Sequence, residues 1–134
     1  MSPVHAFRLM PGDDLKKQID DFVKRKKIEA GWIACAVGSL TAYHIRFANQ
    51  QEGSRASGHF EILSLNGTVS LHGLHVHIIL ADSSGQTCGG HLLDENIIYT
   101  TAEIIIQEIT DLIFLREKDG TTSWQELQVK WKNM

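Results

Sequence analysis

Apolar positions along this chain recur mostly at every second residue, and in one early segment they recur at helical spacing instead. In that segment Leu15, Ile19, Phe22 and Val23 share one side of a 3.6-residue period. Lys16, Lys17, Asp20 and Asp21 take the other side, which predicts an amphipathic helix over 14–27. Asp13 or Asp14 can cap its start, and the run Lys24-Arg25-Lys26-Lys27 suits the negative end of the helix dipole. Segments 4–10, 31–37, 41–48, 59–65, 74–81, 87–93, 97–106, 112–116 and 124–131 read as strands. Pro11-Gly12, Gly38-Ser39, Asn66-Gly67, the stretch 82–85 and Asp119-Gly120 read as turns, and the polar stretch 49–58 as a loop.

One helix and many strands on short connections predict an α/β (α+β) fold. It is a mainly antiparallel, strongly curved sheet or partly open barrel with one main amphipathic helix packed on it. Segment 97–106 is apolar on both sides, with Ile98, Ala102, Ile104 and Ile106 on one and Ile97, Tyr99 and Ile105 on the other. A single helix covers only one face. Either a second subunit or closure of the sheet on itself must cover the other.

Composition narrows the class without naming a function. The 134 residues fit one domain, 1–134, large enough to enclose a core. A net charge of -3 gives the bulk chain no electrostatic reason to seek nucleic acid, so direct DNA binding is not expected. Cys35 and Cys88 form no CxxC pair, and no charged leader precedes an apolar run, so a reducing, cytoplasmic location is expected. No apolar stretch approaches the roughly 18 residues needed to cross a bilayer.

The candidate chemistry lies in the histidines. In 74–81, His75 and His77 alternate with Leu74, Val76, Ile78 and Leu80, so both imidazoles point away from the apolar face. Across a short hairpin, His91 follows Gly89-Gly90, where missing side chains leave room for a bound group or a close backbone. The three can form a zinc site with an open fourth position, or they can be polar strand residues facing solvent. Cys88 is three residues from His91, so strand parity sends it to the opposite face. An active zinc site would also need an acid/base and a charge clamp. Glu103 interrupts an apolar face, Arg46 is its candidate partner, and Glu61 lies between Phe60 and Ile62. A buried Arg–Glu pair fixing register or an interface is the structural alternative. No P-loop, GxGxxG or GxSxG motif is present.

Several blocks, in this order and spacing, resemble the plant-and-prokaryote-conserved (PPC) domain family along nearly the whole chain. They are Phe7 through Leu15, Gly38-Ser39-Leu40, Gly58 through Gly67, Leu74-His75-Val76-His77, Ala81-Asp82, Gly89-Gly90-His91-Leu92 and Thr100-Thr101-Ala102-Glu103. The resemblance implies a homotrimer whose prokaryote-like members keep these histidines as candidate metal ligands. It also implies a fold similar to acetolactate decarboxylase, a zinc enzyme with three histidine ligands. Plant members carry AT-hooks with Arg-Gly-Arg-Pro cores, and this sequence has none; their Gly-Arg-Phe-Glu-Ile-Leu segment reads here with His59 in place of arginine. The chain is therefore similar to the standalone type. The expected function is a homotrimeric, zinc-binding protein with a small-molecule role, as a lyase or hydrolase. The alternative is a non-catalytic trimeric module that contacts a partner protein or associates with DNA.

Overall fold

The computed structural model describes residues 2–133. Strand β1 (Val4–Leu9) leads through the Pro11-Gly12 turn into helix α1 (Leu15–Arg25). Asp14 is the N-cap, and its carboxylate accepts from the backbone N–H of Lys17 at 3.2 Å. The four predicted apolar positions are the buried ones, and Phe22 stacks on Phe7 of β1 with ring centroids 4.0 Å apart. Lys24 and Arg25 pair with Asp20 and Asp21 one turn back, so this end of the basic run is a solvated helix face.

The remaining strands are β2 (Gly31–Arg46), β3 (Ser54–Ser70), β4 (Gly73–Ala81), β5 (Thr87–Leu92), β6 (Ile97–Glu108), β7 (Leu112–Glu117) and β8 (Glu126–Trp131). Five of them join β1 in one antiparallel sheet in the order β1-β6-β2-β3-β4-β5. The far end of β2 also pairs with β5, Ile45 opposite Leu92 and Arg46 opposite His91, so the sheet curls into a partly closed ring. Strands β7 and β8 form a separate hairpin. This is the curved, mainly antiparallel sheet with one helix that the periodicity predicts.

Two predicted turns are strand interiors. Gly38-Ser39 lies inside the 16-residue β2, and Asn66-Gly67 inside the 17-residue β3. In each the glycine serves close approach between strands. A Cβ on Gly38 would collide with the carbonyl oxygen of Thr101, and one on Gly67 with that of His75. The chain reverses instead at Leu71-His72, and strand β8 starts at Glu126, leaving Trp124 in the preceding loop.

The core joins the helix to one face of the sheet, through residues such as Leu40, Ile45, Val69, Val76, Leu80 and Ile104. On β6, Ile98, Ala102, Ile104 and Ile106 are buried, but Tyr99 and Glu103 on the other side are exposed. Closure of the sheet therefore does not cover the second side within one chain.

Candidate metal centre

Strand register assembles this centre. His75 and His77 project from the face of β4 opposite Val76 and Ile78, which are buried. Across the β4–β5 pair, His77 stands opposite His91. Across β5–β2, His91 stands opposite Arg46. Across β3–β4, Thr68 stands opposite His75 and Asn66 opposite His77. Directly opposed residues in an antiparallel pair share a face, with Cβ atoms about 4.5–5.5 Å apart. One patch across four strands thus carries three imidazoles, a guanidinium and two neutral polar side chains.

Two features hold this register. A Cβ on Gly90 would strike the Arg46 carbonyl oxygen, so β5 approaches β2 this closely only with glycine there. The buried Asn96 amide accepts from the His44 N–H and donates to the carbonyls of His44 and Leu93, each at 2.7–2.9 Å. It ties the exit of β5 to β2 beside the Arg46–His91 pairing.

The ring centroids of His75, His77 and His91 lie 5.1, 5.5 and 6.0 Å apart in pairs. One ring nitrogen of each falls within 4.8 Å of the others. A tetrahedral zinc with Zn–N bonds of 2.0–2.1 Å holds its nitrogens about 3.3 Å apart, a closure that small side-chain rotations supply. The protonation states favour metal capture as well. Burial, then the Arg46 guanidinium, holds His91 down to about 4. Burial, then Arg116 and His77, lowers His75. Both are neutral at pH 7 and present a lone pair, as ligation requires.

Two clefts of about 910 and about 560 Å³ open beside the imidazoles and share Arg46, His75, His91 and Trp124. The C-terminal hairpin supplies the far wall of the smaller one, with Arg116 and Glu126. Arg116 donates to Thr68 Oγ1 at 2.8 Å, and the Arg46 guanidinium lies 5.1 Å from the Trp124 ring centroid.

Of the predicted acid/base and clamp residues, Arg46 joins the histidines, and the two glutamates do not. Glu103 is exposed on β6, opposite Arg8 and Val37, and lines neither histidine cleft. Its expected pairing with Arg46 does not form, because Glu103 stands opposite Val37 in the middle of β2 while Arg46 ends that strand; Arg8, opposite Glu103, bonds Thr101 and the Thr100 carbonyl. Glu61 is exposed on β3 and lines a different cleft of about 480 Å³ with His59 and Asp82. Cys88 packs against the core, as its parity predicts. Sequence reasoning missed Thr68, Arg116 and Trp124. Reading Asn66-Gly67 as a turn cut off the β3 register that places Thr68 beside His75, and no local pattern marks a hairpin folding back over the sheet.

A model of the Plants and Prokaryotes Conserved (PCC) domain matches residues 2–110. The bifunctional protein GlmU of Synechococcus sp. (strain JA-3-3Ab) is 39% identical over 127 residues, 95% of this chain. The chain spans only 20% of that relative's length. A hypothetical protein from Salmonella has the same fold, with 35% identity, a TM-score of 0.96 and coverage of 98% and 96% of the two chains. The metal-containing protein AF0104 from Archaeoglobus fulgidus superposes at a TM-score of 0.79 with 28% identity, over 94% of this chain and 93% of its own. A structure from Bacteroides thetaiotaomicron, described as a candidate DNA-binding protein, shares the fold at a TM-score of 0.81 and 20% identity, over 98% of this chain and 96% of its own.

Proposed function

The chain belongs to the Plants and Prokaryotes Conserved (PCC) domain family, and from that premise we propose that it is a homotrimeric metal-binding protein acting on a small molecule as a zinc-dependent lyase or hydrolase. The observation that carries this reading is the placement of three imidazole nitrogens within 4.8 Å of one another beside open clefts. The metal-containing Archaeoglobus relative supports it. His75, His77 and His91 would hold the ion, and Arg46, opposite His91, would orient a bound group beside it. Zinc with three histidine ligands supplies a Lewis-acid position and brings bound water to a pKa of about 7.

Elemental analysis of protein purified without a histidine tag tests the reading. About one equivalent of metal per chain is expected, lost in His75→Ala, His77→Ala and His91→Ala alike. At about one hundred times its dissociation constant, zinc should raise unfolding stability by about 2.7 kcal/mol, and a chelator should reverse the gain. Less than about one-third of an equivalent, unchanged in His75→Ala, would sink the proposal.

The second reading is a non-catalytic trimeric module that contacts a partner protein or associates with DNA. The fold shared with the Bacteroides protein favours it. A salt titration of binding to duplex DNA separates the two, because a phosphate-contacting surface loses affinity steeply as salt rises. With a net charge of -3, the first reading expects no such binding.

A further inference from the structure

Arg46 and Arg116 approach the histidine cleft from two sheets. Arg46 ends β2 and stands opposite His91. Arg116 belongs to the C-terminal hairpin and is fixed on Thr68, the residue opposite His75. Both line the cleft of about 560 Å³. Among the described residues neither guanidinium forms an ion pair. Arg116 is half-buried, where a cation without a counter-ion is costly. Glu126 is the carboxylate of the same wall, but it already accepts from the Thr122 hydroxyl at 2.6 Å and stays beyond ion-pair distance of Arg116. Two cations against one carboxylate leave the wall with a surplus positive charge before any metal is counted. Leu74, Leu93 and Trp124 add apolar surface to the same cleft.

We propose that this cleft binds a small organic acid, with its carboxylate held between Arg46 and Arg116 and its carbon skeleton against Trp124 and the two leucines. A guanidinium fork matches a carboxylate through two parallel hydrogen bonds, and the partly enclosed setting strengthens them. The apolar wall and the cleft volume favour an organic acid over a bare inorganic anion. The proposal deepens the metal reading and rests on it, since it supplies the substrate class for the position that three histidines leave open.

The test is calorimetric titration of the zinc-loaded protein with succinate, succinamide and inorganic phosphate. Succinate should bind. Arg46→Gln and Arg116→Gln should each weaken it by about tenfold or more while zinc content stays at the wild-type level. Arg116→Lys, which keeps the charge but loses the fork, should fall between. Succinamide, of similar shape without charge, should not bind. Equal succinate affinity in the wild type and both glutamine variants, or no succinate binding at full zinc content, overturns the proposal and leaves the metal reading standing. Phosphate binding as tightly as succinate overturns the organic-acid assignment. A chain that takes up no zinc overturns the metal reading; the metal-free protein is then titrated, and arginine-dependent succinate binding there still supports the anion cleft, while its absence removes that too.

Discussion

An exposed imidazole titrates near 6.5, whereas His91 in the folded chain is held down to about 4 by burial and the Arg46 guanidinium. Between those values the unfolded chain binds a proton that the folded chain refuses, so folding stability must fall as pH falls. Above about 6.5 both states are neutral at this residue and it contributes no slope; below about 4 both are charged and the slope ends. His75 is lowered as well and acts with the same sign. The metal-free protein should therefore show a urea midpoint that is flat above pH 6.5 and declines toward pH 4. His91→Gln should flatten the decline, and an unchanged slope in that variant would remove this residue as its source. At this scale much of the centre was legible. Period-2 alternation placed His75 and His77 on one face, and the Gly89-Gly90-His91 hairpin brought the third imidazole opposite them. The apolar neighbours of Glu103 in sequence suggest burial, but its side of β6 faces outward.

The elements show why turn signals misled. Asn-Gly and Gly-Ser pairs mark reversals because they tolerate left-handed backbone, but glycine also appears where two strands pack too closely for a side chain. Sequence does not separate these uses, since the second depends on a partner strand many residues away. Gly67 is the clear case, for its absent Cβ faces the His75 carbonyl oxygen and the Val76 Cα of β4. Gly67→Ala must therefore push β3 away from the strand that carries the imidazoles. A cost of about 2–3 kcal/mol is expected by chemical denaturation, with weakened zinc binding. Gly120→Ala gives the contrast: that glycine lies in the β7–β8 loop at φ +86° with open space around its Cα, so the cost is only backbone strain of about 1–2 kcal/mol, without change in zinc content. Equal zinc affinity in Gly67→Ala and wild type would break the link between this strand contact and the centre. The helix, by contrast, was readable almost to the residue, because its cap, apolar stripe and cation-rich end are all local.

The whole molecule leaves one surface unexplained by its own packing. The outward side of β2 exposes Trp32, Cys35 and Val37, and Tyr99 extends the surface onto β6, with Val37 56% exposed. Large apolar groups gathered on a sheet whose other face is already packed mark an association surface. The sequence signalled this when it showed 97–106 apolar on both sides, and it could not choose between a closed sheet and a second subunit, since curvature is a property of the assembled strands. The proposed homotrimer would place copies of the chain against this surface. Sedimentation equilibrium should then give three times the 15.0 kDa chain mass. Val37→Lys is a discriminating variant, because Glu103 directly opposite on β6 can satisfy the new charge within a lone subunit but not when a neighbour's apolar surface covers it. That variant should sediment as a monomer at micromolar concentration. Because the three histidines lie on β4 and β5, within one chain, it should retain its zinc. A wild-type mass of one or two chains would overturn the trimer; loss of zinc together with assembly would show that the centre takes its final shape only between subunits.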